Sequence, residues 1–171
     1  MGRLWYLAAL VPLVVGVVVI VTGLRGLADD VEHMQRVVVP GERTLKLDAG
    51  DYVIYGETVS RVDGVSYINE SFNVRCGLSA ADGTTINLEA KSSSSNYQLA
   101  GYKGQSMFNV TVPRAGDYHF ACEGDSKPAV LAFGHGFGMK LVFTILGGVF
   151  GLLLTGGVFL FVFLKRRKAK K

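Results

Sequence analysis

The sequence predicts an all-β domain attached to two membrane-spanning helices. Three observations lead to this fold class. Two uncharged apolar runs lie near the ends of the 171-residue chain, apolar residues alternate with polar ones around two cysteines, and turn-forming residues recur between the two runs. The apolar content of 49% therefore belongs to two spans and a modest core, and not to one large core.

The two apolar runs are long enough to cross a bilayer. Leu4–Leu24 has 21 residues and Leu141–Leu164 has 24, and neither contains a charged side chain. A helix rises about 1.5 Å per residue, so each run matches a hydrocarbon core of about 30 Å. A buried helix of a soluble protein rarely remains apolar on every face for this length. We therefore predict transmembrane helices at residues 4–24 and 139–164.

The charges predict the orientation. Residues 25–138 hold all 14 acidic side chains and ten of the 18 basic ones, a net charge of −4, although the whole chain carries +4. Lys and Arg that flank a span stay in the cytoplasm. This rule puts residues 1–3 and the tail 165–171 in the cytoplasm of a plasma (inner) membrane and residues 25–138 outside, in the periplasm or extracellular space. The remaining eight cations all adjoin the apolar runs, which argues against nucleic-acid binding: Arg3, Lys140, Lys165, Arg166, Arg167, Lys168, Lys170 and Lys171.

The first span has two interpretations. Gly26 and Ala28 are small residues at the −3 and −1 positions of a signal-peptide cleavage site before Asp29. The apolar run, however, exceeds the roughly 7–15 residues of a typical signal core, and Arg25 separates it from the cleavage site. We favour an uncleaved signal anchor and leave the cleaved signal as the alternative. Both place the middle of the chain outside.

The two cysteines lie in alternating segments. Phe72, Val74 and Cys76 share one face of a predicted strand, and Tyr118, Phe120 and Cys122 share one face of another. Both thiols therefore point toward a core, where a disulfide would contribute about 2–4 kcal/mol of stability. Two unpaired buried thiols are the alternative. A redox or metal site is disfavoured, because neither cysteine has a second cysteine or a histidine at ligand spacing.

Other short segments complete a β-sandwich of about seven to eight strands. They are rich in β-branched and aromatic residues and are separated by turns such as Pro40-Gly41, Asp63-Gly64 and Asp82-Gly83. Residues 25–138 suffice for one core. The five further strands are predicted at Leu45–Leu47, Tyr52–Tyr55, Ile86–Leu88, Phe108–Val112 and Val130–Phe133.

A four-residue repeat marks two corners. Ala49-Gly50-Asp51-Tyr52 recurs as Ala115-Gly116-Asp117-Tyr118. We interpret the repeat as geometric: the glycine takes a positive φ, the aspartate caps the turn, and the tyrosine turns its ring inward while its hydroxyl reaches a backbone group. A duplicated functional site is the alternative.

The segment Phe108–Cys122 resembles the final hairpin of secreted jelly-roll domains, such as bacterial pre-peptidase C-terminal and carbohydrate-binding modules. This resemblance implies a jelly-roll-like sandwich. The layout of disulfide sandwich, span and basic tail is also similar to GOLD-domain cargo receptors, although those receptors have a coiled coil where this chain has only Gly134–Gly138. The whole layout most resembles uncharacterised small bacterial membrane proteins with an extracytoplasmic β-domain. These resemblances imply no functional residues.

Catalytic patterns do not stand out, and we predict neither an enzyme nor a cofactor. His33, His119 and His135 have no serine, cysteine or carboxylate nearby in a nucleophile arrangement. The glycines of Gly134–Gly138 follow no βαβ unit and predict a hinge, not a phosphate loop. No metal site is predicted, although a Ca²⁺ ion held by aspartates at turns stays open for Asp48, Asp51, Asp63 and Asp117.

Binding chemistry is more plausible than catalysis. Tyr97 and Tyr102 flank a loop that begins Lys91–Asn96, and tyrosine, serine and asparagine together form adaptable binding surfaces. These two tyrosines are candidate ligand-binding residues for an envelope glycan. The alternative is a hairpin whose tyrosines pack locally. Asn69 and Asn109 lie in N-glycosylation sequons, which matter only in a eukaryotic secretory pathway.

Small residues in the spans predict close helix packing. Gly147, Gly151 and Thr155 recur every four residues, and Pro12 and Gly16 lie on one side of the first span together with Ala9 and Gly23. We expect the two ridges to pack on each other. Packing of one ridge on a second copy or on another membrane protein is the alternative. We therefore expect an interaction or scaffold protein, an accessory subunit of a membrane or envelope complex. A carbohydrate- or envelope-ligand-binding module is the alternative.

Overall fold

The structure, a computed structural model, describes residues 4–69, 71–91, 95–124 and 127–168. For residues 4–9, 162, 163 and 165–168 the description covers the backbone alone. Of the cations predicted to flank the spans, Arg3, Lys170 and Lys171 lie outside the described residues. The backbone of residues 165–168 continues the second helix.

Two long apolar helices, α1 (Leu4–Glu32) and α2 (Gly138–Lys168), form one of two compact units. Both helices are long and apolar enough to cross a membrane, with mean hydropathies of 2.3 and 2.1 in their most apolar parts. The other unit, Ala28–Gly136, contains all the strands and the last turn of α1. Helix α1 thus continues past the predicted end of the span at residue 24.

The β domain consists of two antiparallel sheets. In sheet A the strands run in the order β1-β11-β3-β9-β7, with β4 also paired to β3 and β8 to β9, and in sheet B the order is β2-β10-β5-β6. Within the described residues neither sheet closes on itself. The strands are β1 (Gln35–Val39), β2 (Gly41–Leu47), β3 (Gly50–Val62), β4 (Val65–Ile68), β5 (Val74–Ala80), β6 (Thr85–Ile86), β7 (Glu89–Ala90), β8 (Asn96–Leu99), β9 (Tyr102–Val112), β10 (Gly116–Gly124) and β11 (Ala129–Gly134).

The predicted strand number of seven or eight was too low. The described residues form 11 strands, and β1, β4 and β8 have no counterpart in the prediction. The predicted strand Ile86–Leu88 is also divided: β6 ends at Ile86 in sheet B, and β7 begins at Glu89 in sheet A. Asn87 and Leu88 therefore carry the chain from one sheet to the other.

One core lies between the sheets. On β10, Tyr118, Phe120 and Cys122 are buried, as the alternation predicts. Phe120 of sheet B meets Phe133 of sheet A edge to face, with ring centroids 4.8 Å apart. The other buried residues of this core are Val37, Val39, Leu45, Leu47, Tyr52, Ile54, Leu78, Val110, Val112, Ala129 and Leu131.

The predicted disulfide joins Cys76 to Cys122. The two cysteines are directly opposite each other on the neighbouring strands β5 and β10. The bond therefore crosses between adjacent strands within sheet B and does not link the two sheets.

The repeated corners connect the sheets, from β2 to β3 and from β9 to β10. The Tyr52 hydroxyl accepts a hydrogen bond from the Asp48 N–H (3.1 Å), and the Tyr118 hydroxyl donates to the Arg114 carbonyl (2.7 Å), so both tyrosines reach the backbone four residues back. Gly50 has a φ of 148°, but Gly116 does not have a positive φ. The Asp51 carboxylate accepts a bond from Thr111 on β9 at 2.6 Å, so this aspartate ties two strands together.

Candidate functional site

Both candidate tyrosines lie over the face of sheet A that points away from the core. The Tyr97 hydroxyl donates to Oε1 of Glu57 at 2.5 Å, and its ring meets Tyr55 edge to face with centroids 5.1 Å apart. The Tyr102 ring lies 3.8 Å from the guanidinium carbon of Arg36. Both rings are half-buried and pack within the domain. A ligand role for these two rings stays a prediction.

Glycine at position 104 permits the position of Tyr97. Gly104 is directly opposite Tyr97 in the β8–β9 pair, and a Cβ at Gly104 would lie 2.6 Å from the Tyr97 ring. Any side chain there would displace the ring, because real Cβ atoms do not approach other atoms so closely. The absence of a side chain at Gly104 therefore leaves room for the Tyr97 ring over β9.

The tyrosines surround a buried ion pair that the sequence analysis did not identify. Glu57 is fully buried, and the Arg36 side chain is 8% exposed. Nε and Nη2 of Arg36 donate to Oε2 and Oε1 of Glu57 at 2.9 and 3.0 Å, a bidentate pair. Ser60 donates a further hydrogen bond to Oε2. We call Arg36, Glu57, Ser60, Tyr97 and Tyr102 the Arg36 cluster.

Arg36 also binds the end of helix α1. Its Nη2 donates to the carbonyl of Val31 at 2.7 Å, and its Nη1 donates to the carbonyls of Glu32 and Met34 at 3.2 and 3.3 Å. The last carbonyls of a helix have no partner within the helix and carry its negative dipole end, so a cation there is favourable. One guanidinium thus ties the last turn of α1 to the carboxylate in β3.

Burial and the charge of Glu57 raise the pKa of the Tyr97 hydroxyl. Tyr97 therefore remains a protonated donor to the carboxylate at ordinary pH. Among the described residues, every buried side-chain nitrogen and oxygen has a hydrogen-bond partner. The buried polar atoms of the Arg36 cluster therefore all have hydrogen-bond partners, and the cluster stabilises the fold.

The β domain has two distinct ends. Gln35, the first residue of β1, is opposite Phe133 near the end of β11, so the chain arrives and departs at one end, which we call the junction end. His135 lies there, with its Nδ1 3.0 Å from the Asp51 carbonyl oxygen. Strand β3 runs from this end to the far end, where Asp63 and Gly64 turn the chain into β4. Both turn residues have positive φ values, 50° and 82°, as a two-residue hairpin turn requires.

Apolar side chains are exposed at the far end. Val59 and Ile68 are directly opposite each other on β3 and β4 and are 38% and 77% exposed. Beside them a cleft of about 330 Å³ is lined by Ile68, Phe72 and Lys127, among others. We call the exposed Val59 and Ile68, together with the half-buried Phe72 that packs against the core, the far-end patch. An exposed apolar group of this kind is typical of an interaction surface.

Of the three predicted helix-packing residues, Gly147 and Gly151 contact α1. A Cβ at Gly151 would lie 2.8 Å from the Cα of Gly16, and a Cβ at Gly147 would lie 2.9 Å from a methyl carbon of Val19. Thr155 donates its hydroxyl to the carbonyl of Gly151 at 2.8 Å. The small residues of the two helices therefore pack on each other within one chain.

The histidines and turn aspartates do not converge. His119 lies 3.2 Å from the Glu42 carboxylate, and His33 lies 3.3 Å from the Asp29 carboxylate, both on the surface. A hydrogen bond to the Asp29 carbonyl and the Asp29 charge raise the pKa of His33. In the described part of the chain, no three His, Cys, Asp or Glu side chains come together as a metal site.

No protein-family model, curated protein or solved structure matches the chain. The residues of the Arg36 cluster bind one another, whereas Val59 and Ile68 of the far-end patch are exposed to solvent.

Proposed function

We propose that this protein is a membrane-anchored interaction protein, an accessory or scaffold subunit of a membrane or envelope complex. The observation that carries this proposal is the far-end patch, where Ile68 is 77% exposed. Solvent-exposed apolar side chains at a strand pair and an adjacent cleft favour a protein partner. Within the β domain, the patch lies at the opposite end from the junctions with the two helices.

The proposed location follows from the helices, the disulfide and the flanking cations. Two apolar helices support membrane insertion, and a disulfide supports an oxidising compartment for the β domain. By the positive-inside rule both termini are cytoplasmic, and the domain lies outside the plasma (inner) membrane. Helix α1 runs through Ala28 and Asp29, and Arg36 binds its last turn, which supports an uncleaved anchor.

The strand pairing supports a jelly-roll-like fold for the outer domain. Strand β2 pairs with β10 in sheet B, and the next strand, β3, pairs with β9 in sheet A. The consecutive strands β2 and β3 therefore pair with the consecutive strands β10 and β9, and both chain segments pass between the same two sheets. Jelly rolls have this arrangement. Such folds serve many functions, so the surface and not the fold supports the proposed role.

Co-purification from native membranes in a mild detergent tests the proposal. We expect a stoichiometric protein partner that is lost when Val59→Lys and Ile68→Lys are combined. The control is Val65→Lys, because Val65 is 54% exposed but is not opposite either patch residue. Melting of the β domain should be the same in all three proteins. Retention of every co-purified protein by the double variant would contradict the proposal.

A further inference from the structure

We propose that the free edge of β4 accepts an extended strand of a partner protein whose side chains alternate between apolar and acidic. This inference rests on the proposed function and specifies the partner's chemistry. It follows from the unused backbone groups of β4, the apolar side chains beside them, and two cations with no anionic partner among the described residues.

One side of the β4 backbone has no strand partner among the described residues. Among the described strands β4 pairs only with β3. In a hairpin with a two-residue turn, Val62 and Val65 exchange backbone hydrogen bonds, and hydrogen-bonded and non-bonded pairs then alternate. Tyr67 therefore bonds to β3, while the N–H and C=O groups of Ser66 and Ile68 point away from it. These groups form an open edge of the kind to which peptide strands add.

The side chains beside this edge are apolar and positively charged. Ser66 and Ile68 share the face that carries Val59 and Arg61, by their positions in the β3–β4 pair. A strand added to β4 would place alternate side chains on this face, next to Ile68 and the cleft. Arg61 and Lys127 are exposed, and neither forms an ion pair with a described residue. Acidic side chains on the added strand would complement them.

A second copy of this chain is a poor occupant of the edge. Strand β4 (Val65–Ile68) contains no acidic side chain, so the β4 strand of a second copy could not complement Arg61 and Lys127. It would instead bring the same two cations to the edge, and like charges repel. The occupant is therefore a strand of a different protein.

Peptide binding to the full-length chain in lipid nanodiscs tests the inference. The probes are two fluorescent peptides of about ten residues, one alternating valine and glutamate, the other alternating valine and lysine. We expect the glutamate peptide to bind at least about tenfold more tightly. Ser66→Pro, which removes an outward N–H, should weaken its binding by about tenfold or more, whereas Ser66→Ala, which keeps the N–H, should not.

The charge test is independent of proline. Arg61→Glu combined with Lys127→Glu should reverse the preference in favour of the lysine peptide. Two results of the charge test would overturn the inference: equal binding of the two peptides to the unaltered chain, and an unchanged preference in the charge-reversed variant. Full binding of the glutamate peptide by a folded Ser66→Pro variant would also overturn it. If the chain binds the glutamate peptide but co-purifies no partner, the inference about the edge stands and the proposed function fails. If a partner depends on the far-end patch but the chain does not select between the peptides, the proposed function stands and the inference about the edge fails.

Discussion

At the scale of single residues, the Arg36–Glu57 pair decides how the outer face of sheet A is built. A buried carboxylate is costly unless charge and hydrogen bonds compensate it, and here a bidentate guanidinium, a serine and a tyrosine all bind Glu57. Because Arg36 also binds the Val31 carbonyl, loss of the pair should loosen the end of α1 as well as the sheet.

We predict that Glu57→Gln destabilises the β domain by about 3–5 kcal/mol, because it leaves the Arg36 charge buried without a counter-charge. Urea unfolding of the purified chain, followed by near-ultraviolet circular dichroism, measures the change. The double variant Arg36→Met with Glu57→Met removes both charges and should recover much of the loss. A midpoint for Glu57→Gln within error of the unaltered chain would contradict this account.

Tyr97 should make the domain sensitive to alkali. Its pKa in the folded state is raised, so above about pH 10 the unfolded chain releases this proton while the folded chain keeps it. The contribution of Tyr97 to stability is complete below that pH. Above it, the free energy of unfolding should fall by about 1.4 kcal/mol per pH unit. Denaturation midpoints at successive pH values measure the slope. Tyr97→Phe should lower stability at neutral pH and give a shallower alkaline slope.

The sequence could predict the core residues but not this cluster. Tyr118, Phe120 and Cys122 alternate with polar neighbours, so a local pattern revealed their burial. Arg36 and Glu57 are 21 positions apart, and each resembles a surface charge when considered alone. The only local signal was a charged residue beside a run of apolar ones, before Val37 and after Tyr55. The pairing of β1, β11 and β3 was needed to bring them together.

At the scale of elements, the two helices meet through backbone contact. Gly16 and Gly151 allow an approach that a side chain on either residue would obstruct. The small-residue ridge predicted on the second span is therefore used within the chain. Gly156 and Gly157 have no other described atom within 4 Å of a would-be Cβ, so they are not part of this contact.

Gly151→Leu should separate the helices, because even its Cβ would overlap the Gly16 backbone. A disulfide between cysteines introduced by Val19→Cys and Gly147→Cys reports the contact, since these positions touch in the unaltered chain. We expect the yield of this cross-link to fall about threefold or more with Gly151→Leu and to stay the same with Gly156→Leu. Equal yields in the two leucine variants would show that α1 and α2 do not pack through Gly151.

The strands differ in how clearly apolar and polar residues alternate along them. Strand β10 alternates because one face meets the core and the other meets solvent. Strand β1 does not alternate clearly. The core buries Val37 and Val39, but on the other face Val38 is half-buried and the Arg36 side chain is only 8% exposed. Strand β4 is short and exposes apolar residues, so its Val and Ile lack the burial that the pattern normally reflects. Its pairing depends on the Asp63-Gly64 turn.

At the scale of the whole molecule, the charge distribution and the disulfide are two separate supports for the compartment that we propose for the β domain. The central segment carries ten cations and 14 anions, whereas the remaining eight cations adjoin the two apolar runs. The disulfide between β5 and β10 suggests an oxidising compartment for the same segment. These are separate physical constraints, one on insertion and one on thiol chemistry, and both favour placing the β domain outside the cytoplasm.

The proposed topology predicts which positions a membrane-impermeant maleimide can reach in intact cells. Thr44→Cys places a thiol on an exposed residue of the β domain, and Ala169→Cys places one in the basic tail. The native cysteines are joined in a disulfide, so they do not compete for the label. We expect Thr44→Cys to be labelled in intact cells and Ala169→Cys only after permeabilisation, because Lys and Arg beside a span remain in the cytoplasm. The reverse pattern would invert the topology, and labelling of both in intact cells would put the tail outside.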